Sequence, residues 1–237
     1  MNYMDFADEL NLVGKILSIT RKQDGEAYTP VKEGCAFRSL NHAVNGERIM
    51  LSEDTVFCMG GKLGFGFQDE MRVPGGYDLF VSHGAGEGFP PGLRLKRNPE
   101  IAALGAANSP KNVMEGYKFI EIKRFEEGDE PDLVTILANP DQLSALNMLF
   151  QYSKSSNDVT VFPSGSGCSS VFLLPFAELR SSEPRAVIGN SDITVRDQFQ
   201  ADTLFFTIPG KAFVEMLEDA DQSFLITPAW VKLKERI

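Results

Sequence analysis

Residues 131–152 read PDLVTILANPDQLSALNMLFQY, and this stretch decides the fold class because it joins two different patterns. The run Leu133–Ala138 is continuously apolar, which is typical of a strand buried on both faces. Asn139 and Pro140 then open a helix, since proline is favoured in a first helical turn. The apolar residues of that helix recur on one face: Leu143, Leu146, Leu149 and Phe150.

The chain on either side continues to mix strands with helices. Upstream, residues 117–125 alternate apolar with charged side chains, the period-two pattern of a half-buried strand. Downstream, VTVF at 159–162 predicts a strand, SGSG at 164–167 a loop, and SVFLLPFAEL at 170–179 a helix. Pro175 is expected to kink or shorten that helix.

Two adjacent strands are predicted next, from RAVIG at 185–189 and DTLFFTIP at 202–209. Pro209-Gly210 then starts a helix through KAFVEMLEDA, which ends at residue 220. Because strands adjoin one another as well as alternating with helices, we predict an α+β fold with a mixed sheet and flanking helices.

The first third of the chain carries weaker signals. Apolar residues at helical spacing predict an amphipathic helix from Asp5 to Ile19. Residues 23–34 are polar and predict a connection, and a short helix follows before Gly46. The middle segment between Gly60 and Gly92 is so rich in glycine and proline that it is expected to be irregular.

No internal repeat, low-complexity tail or long polar linker separates modules. We therefore predict a single domain over residues 1–237, with a division into two lobes near residue 115 left open. The chain is long enough to bury a core of its own.

Composition and charge exclude several classes of function. With 237 residues, 43% hydrophobic and 24% charged, the chain is typical of a soluble globular protein. A formal net charge of -10 disfavours duplex nucleic acid and anionic bilayers as partners. No apolar run approaches the roughly 20 residues of a membrane span, and the polar, acidic start differs from a secretory signal. We expect a cytoplasmic protein, and the sequence leaves its oligomeric state open.

Glycine motifs offer a first candidate site. GGKLGFGF at residues 60–67 fits neither the dinucleotide-binding pattern nor the phosphate loop of nucleotide hydrolases. The loop 164–170, SGSGCSS, is the better candidate because it is predicted between a strand and a helix, where free amides and the helix dipole can hold an anion. An ordinary capped turn is the competing interpretation.

The three cysteines offer a second candidate. Cys168 falls at a predicted helix start, which favours a thiolate that acts as nucleophile or metal ligand. A buried, space-filling cysteine is the simpler alternative. Cys35 opens a predicted helix and Cys58 precedes Gly60-Gly61, so all three sit at element ends beside glycine. Their separations of 23 and 110 residues match no local metal motif, so the fold would have to assemble any shared site.

The two histidines, His42 and His83, are too few for a histidine-rich zinc site unless cysteine or carboxylate completes it. His83 lies near Arg94, Lys96 and Arg97, which would suit an anion pocket or, more simply, an exposed basic loop edge.

Several quoted stretches taken together resemble one family. They are CMGGKLGFGF (58–67), residues 131–152 above, SGSGCSSVFLLPF (164–176), RAVIGNSDITVRDQ (185–198) and DTLFFTIPGKAFVEM (202–216). In this order they resemble the domain-of-unknown-function 169 family of bacterial and archaeal proteins, from Cys35 to the C-terminal helix. The most specific pieces are C-x-G-G, A-N-P-x-Q and S-G-C-x-S. The family carries no established activity, so the resemblance implies no mechanism.

What the resemblance implies is a set of typical cysteine positions, occupied here by Cys35, Cys58 and Cys168. If these cysteines converge, they suit an iron–sulfur cluster or a single metal ion. The leading hypothesis is a pocket for a small anionic ligand or such a cofactor, whose other lining residues are Gly60, Gly61, Asn139, Ser164, Gly165, Gly167 and Ser169. The alternatives are a thiol enzyme with Cys168 as nucleophile, and a structural or interaction protein without a chemical site.

Overall fold

The computed structural model describes residues 1–25 and 35–237, and a sheet of seven strands organises this part of the chain. The strands are β1 (Ile16–Lys22), β2 (Ile49–Ser52), β3 (Phe119–Arg124), β4 (Leu133–Ala138), β5 (Thr160–Val161), β6 (Ala186–Gly189) and β7 (Leu204–Pro209). Their order across the sheet is β2-β3-β1-β4-β7-β6-β5. Only β5 and β6 pair in parallel, and the other neighbours are antiparallel. The mixed sheet with its helices confirms the predicted α+β class.

The helices of the described residues are α1 (Tyr3–Glu9), α2 (Ser39–Val44), α3 (Met59–Gly64), α4 (Tyr77–Val81), α5 (Pro99–Ala107), α6 (Pro140–Gln151), α7 (Leu174–Glu178), α8 (Gly210–Asp219) and α9 (Pro228–Lys234). Within residues 1–25 and 35–237, none of them combines the length and the apolar character that crossing a bilayer requires. Most of the predicted connection over 23–34 lies outside the described residues.

The sheet separates two hydrophobic cores. On β4, Val134 and Ile136 face a first core, which α1, α6, α8 and α9 complete. Leu133 and Leu137 point to the opposite face, because successive strand side chains alternate. There they join a second core, which includes buried residues of α2 and α7. This three-layer arrangement gives helices to both faces of the sheet, and the second core is the one that contains cysteine.

The sheet also joins the two sides of residue 115. Strand β1 precedes that position, yet it pairs with β3 along one edge and with β4 along the other. Arg21 on β1 forms an ion pair with Asp132, with 3.0 Å between Nη2 and Oδ1. Its guanidinium lies over the rings of Tyr117 and Phe176, 4.6 and 4.8 Å from their centroids. The N-terminal strand is therefore packed into the middle of the fold.

The helix predicted from Asp5 to Ile19 is wrong in its second half. Helix α1 ends at Glu9, and β1 begins at Ile16. Between them the backbone turns through positive φ angles at Asn11 (52°) and Gly14 (74°). Asparagine and glycine tolerate this left-handed region, which a continuing right-handed helix excludes. The apolar residues after Gly14 fit a strand buried on both faces as well as they fit a helix.

The glycine-rich middle agrees better with expectation. Within 60–92, regular structure is limited to most of α3, six residues long, and to α4, which has five. Pro175 has the predicted effect too, because Ser169–Leu173 form a π-helical turn before the short α7 begins. A proline cannot donate the hydrogen bond that an α-helix needs at that position.

Candidate functional site

Cys35 stands at the entrance of the second core. It directly precedes a 3-10 turn, Ala36–Arg38, that runs into α2, and its carbonyl accepts the Arg38 amide at 3.1 Å. The thiol is half-buried. Two residues later, the fully buried Phe37 ring packs edge-on against Phe199 and Phe205, with centroids 5.2 and 5.5 Å away. These rings fix the backbone that carries Cys35.

Cys58 caps α3. Its Sγ accepts a hydrogen bond from the Gly61 amide at 3.2 Å, which satisfies one of the amides left free at a helix start. Gly60 and Gly61 lie in the first turn, so the structure places both predicted residues beside the Cys58 sulfur. They belong to a helix, contrary to the expected irregular glycine loop.

Gly64, at the end of α3, brings that helix onto Cys168. A Cβ built on Gly64 would lie 2.4 Å from Cys168 Cβ and 2.9 Å from the Ser169 amide nitrogen. Real Cβ atoms do not approach so closely, so only glycine permits this contact. Cys168 itself is buried, with 5% of its surface exposed. The helix that Cys58 begins therefore ends directly against Cys168.

Gly167 makes the corresponding contact toward Cys35. Its Cβ would lie 2.7 Å from Val195 Cγ2 and 2.9 Å from Phe37 Cε1. The residue before Cys168 thus packs against the ring that lies two residues after Cys35. Through Gly64 and Gly167, the segments that carry Cys58 and Cys35 both pack against the segment of Cys168, and we call Cys35, Cys58 and Cys168 the cysteine cluster.

Electrostatic effects link the pKa values of the thiols in the cysteine cluster. Burial raises the pKa of Cys168 well above its usual range, and negative charge on Cys35, Cys58 or Asp192 raises it further. Burial also raises the pKa of Cys35, which charge on Cys58 raises too, while hydrogen bonds from Phe37 and Gln198 act in the opposite direction. Cys35 and Cys168 are therefore neutral thiols at pH 7.

This burial predicts a loss of stability at alkaline pH. The pKa of Cys168 is higher in the folded chain than in the unfolded chain, where the pKa of a thiol is about 8.5. Its contribution is therefore complete below that pH and is lost as the pH rises toward the folded value, by up to about 1.4 kcal/mol per pH unit. Urea unfolding of the metal-free protein between pH 7 and 9.5 measures the slope. A slope equally steep in the Cys168→Ala variant would contradict the assignment.

The loop 164–170 follows β5 and leads into the π-helical turn, between a strand and a helical segment as predicted, but three of its amides have partners within the chain. The Gly167 amide donates to Asp192 Oδ2 at 2.9 Å. The Ser169 amide donates to Ser166 Oγ at 3.2 Å, and the Ser170 amide to the Ser166 carbonyl at 3.0 Å. A carboxylate of the protein itself thus takes the place that sequence analysis assigned to a ligand anion.

The remaining members of the predicted pocket lie in the loop that carries Cys168 and, for Asn139, at the start of α6. Ser164 and Gly165 are exposed, and the atom nearest to a Cβ on Gly165 is Ser169 Cβ at 3.8 Å. Ser169 Oγ bonds Ser166 Oγ at 2.7 Å. Asn139 caps α6 in a reciprocal capping box with Gln142, both bonds being 2.9 Å long. Because α6 packs in the first core, Asn139 serves that helix and stands apart from the cysteine cluster.

The histidines also lie elsewhere. His83 is exposed, as are Arg94, Lys96 and Arg97. His42 Nδ1 pairs with Glu47 Oε1 at 2.7 Å.

Two open recesses, of about 1000 and 440 Å³, are lined by other residues than the cysteines and the predicted glycines. Over residues 1–25 and 35–237, no group of three or more His, Cys, Asp or Glu side chains is placed so that it could hold a metal ion.

Sequence reasoning missed two neighbours of the cysteine cluster, Asp192 and Gln198. Both belong to the irregular stretch between β6 and β7, where no periodic pattern guides a prediction. Asp192 carried one usable signal, because Ser-Asp-x-Thr is typical of a local turn in which the aspartate accepts nearby hydrogen bonds. Its Oδ1 indeed accepts the Thr194 amide at 2.9 Å and the Thr194 hydroxyl at 2.7 Å.

The mixed sheet and its helices define an α+β protein. Comparison of the sequence with protein families gives a match to DUF169, described as uncharacterised ArCR, over residues 5–219. The chain belongs to this family. No curated protein and no solved structure matches it significantly.

Proposed function

We propose that this DUF169 protein holds a metal ion or a small iron–sulfur cluster through the thiolates of the cysteine cluster. The proposal is supported by the packing of the segments that carry Cys35 and Cys58 against the segment of Cys168, although 23 and 110 residues separate the three cysteines in sequence. Thiolates are the ligands that zinc, copper(I) and iron–sulfur clusters select.

The arrangement requires the thiols to turn toward a common ion. Rotation about the single Cα–Cβ bond moves a sulfur between staggered positions without moving the backbone. Cys35 and Cys58 are half-buried and each precedes a helical segment, so their side chains can turn at the edge of the second core. Side-chain rotation alone does not bring the sulfurs together, because about 9 Å of helix separates Cys58 from Gly64, so binding also requires α3 to move relative to Cys168. Binding would deprotonate the thiols, because thiolates are the metal ligands.

The two other chemical hypotheses receive less support. A nucleophilic Cys168 needs access and a low pKa, but the residue is 5% exposed and burial raises the pKa of its thiol. The nearby Asp192 is already bonded to Gly167 and Thr194, so it is a poor general base. The hypothesis of a ligand anion in the loop 164–170 is weakened too, because the Gly167 amide already donates to the Asp192 carboxylate.

Anaerobic metal analysis tests the proposal. Protein purified without oxygen would be assayed for iron, sulfide, copper and zinc, and the metal-free form titrated with Zn²⁺ against a chromogenic chelator. We expect one equivalent of zinc, or one cluster, per chain, with a zinc Kd of about 50 nM or tighter. Met59→Leu, which changes an exposed neighbour of Cys58, is the matched control and should bind as the wild type does. No bound metal and a Kd weaker than about 10 μM would contradict the proposal.

A further inference from the structure

Helices α4 and α5 belong to a lobe, residues 70–111, that stands apart from both hydrophobic cores. The two helices pack against each other, but neither core includes a residue of this segment. Within the lobe, all of which the structure describes, the buried apolar residues are Val81 and Ala102. A segment of this size with so small a core depends on support from elsewhere.

The lobe exposes large apolar side chains. On α5, Leu104 is 64% exposed, and the exposed Ile101 lies one turn before it on the same face. Residues 89–97 form a strap that lies beside α5, because Lys96 Cε would be 3.7 Å from a Cβ built on Gly105. The exposed apolar residues of the strap are Phe89, Leu93 and Leu95. Exposed apolar side chains that lie together on a surface mark an interaction site.

The strap is fixed on the end of α4. The Leu93 amide donates to the Phe80 carbonyl at 2.8 Å, and the Leu95 amide donates to the Val81 carbonyl at 2.9 Å. A Cβ on Gly92 would overlap backbone atoms at residues 82–84, so only glycine permits this close approach. The leucine side chains are therefore presented from a backbone that is already in place, which lowers the entropic cost of binding a partner.

The lobe is also the basic part of an acidic chain. It contains five basic and four acidic residues, a formal charge of +1, whereas the whole chain carries -10 and the rest therefore -11. Three of the cations, Arg94, Lys96 and Arg97, are exposed on the strap. No ion pair found among residues 1–25 and 35–237 involves any of them. The surface of the strap therefore suits a partner that is both acidic and apolar.

The smaller of the two recesses, about 440 Å³, has this complementary character, and we call it the acidic recess. It lies where the lobe leaves the rest of the chain, since Asp69 Oδ1 accepts the Asn112 amide there at 2.9 Å. Four carboxylates line it against a single amine, that of Lys118. The carboxylates are Glu53, Asp54, Asp69 and Glu115, and the rings of Phe67 and Tyr117 form part of the wall.

We propose that two copies of the chain form a two-fold symmetric dimer, in which the strap and α5 of each copy dock on the acidic recess of the other. Opposite charges and apolar side chains then meet at both contacts. A reciprocal contact of this kind closes the assembly at two copies. An anionic bilayer would match the strap, but it would leave the acidic recess without a role. This inference does not depend on metal binding.

Sedimentation velocity of the metal-free protein tests the dimer. We expect a Kd of about 10 μM or tighter in about 50 mM salt, weakened at least about 10-fold in about 500 mM salt, because salt screens exposed charges. One double variant, Arg94→Glu with Arg97→Glu, reverses the strap, and another, Asp54→Arg with Glu115→Arg, reverses the recess. Each should be monomeric alone, because like charges then face each other. Their equimolar mixture should dimerise, because the reversed strap meets the reversed recess while the second contact stays native.

Lys211→Glu with Lys232→Glu is the matched control. It changes the net charge as much as the reversed strap does, at exposed residues of α8 and α9, and should dimerise as the wild type does. A wild-type protein that is monomeric at about 100 μM in low salt would overturn the proposal, and so would a mixture of the two reversed variants that stays monomeric. A monomeric wild type that binds vesicles containing about 30% phosphatidylserine through Arg94 and Arg97 would overturn it in favour of a bilayer.

Discussion

Serine in place of Cys58 is expected to lower zinc affinity by at least about 100-fold while leaving the fold intact. Loss of a supporting residue around a metal typically costs 10 to 100-fold, and loss of a direct ligand costs more. The Cys58 sulfur accepts a hydrogen bond from the Gly61 amide at the start of α3. A serine hydroxyl takes over this helix cap readily, because serine is among the preferred N-cap residues. The substitution therefore separates metal binding from stability.

Chelator competition measures the affinity and urea unfolding of the metal-free protein measures the stability. Cys58→Ala is the matched comparison, since it removes both the ligand and the cap. We expect both variants to lose zinc equally, but only the alanine variant to lose about 1 kcal/mol of stability. Wild-type zinc affinity in Cys58→Ser would contradict the assignment of Cys58 as a ligand.

Alanine in place of Gly64 is expected to lower the free energy of unfolding by about 1–3 kcal/mol or more. Its Cβ would lie 2.4 Å from Cys168 Cβ and 2.9 Å from the Ser169 amide nitrogen, so α3 and the π-helical turn must separate. Overpacking a well-packed core typically costs this much. The same displacement moves Cys58 relative to Cys168, so zinc affinity should fall as well.

Gly60→Ala provides the control within the same helix. The nearest atom to its added Cβ is Cys58 Sγ at 3.8 Å, an ordinary contact. Alanine in place of a helical glycine removes up to about 1 kcal/mol of conformational cost, so this variant should be neutral or more stable. Urea midpoints for the two variants give the comparison. Equal stability of Gly64→Ala and the wild type would contradict the close packing of α3 on Cys168.

Gly167→Val should likewise destabilise the protein. Sequence analysis treated Gly167 as a residue that admits a ligand. In the structure, the space beside it is filled by Phe37 and Val195. The substitution is therefore expected to lower the urea midpoint of the metal-free protein. An unchanged midpoint would show that the two neighbours yield easily.

The elements with strong local signals were predictable from sequence. Strand β4 is apolar throughout and α6 has a capping residue, a proline and one apolar face, so local chemistry determines both. The boundary between α1 and β1 could not be predicted from sequence, because Ile16 and Leu17 satisfy helical and strand patterns alike. The positive φ angles of Asn11 and Gly14 determine where the helix ends and the strand can begin.

The candidate site, too, could be predicted only in part from the sequence. The positions of the cysteines at element ends beside glycine suggested a shared site. Their neighbours could not be predicted, because Gln198 reaches Cys35 only through long-range packing of Phe199 on Phe37. The loop amides show the opposite case. Their sequence suits an anion, but Asp192, 25 residues after Gly167, supplies the carboxylate from within the chain.

X-ray absorption at the metal edge of the zinc-loaded protein tests the central claim most directly, because it counts the ligand atoms around the ion. Zinc–sulfur distances in proteins are about 2.3 Å, and zinc–oxygen distances are about 2.0–2.2 Å. The proposed function predicts three sulfur neighbours, supplied by the cysteine cluster. A first shell made only of oxygen and nitrogen atoms would contradict the account.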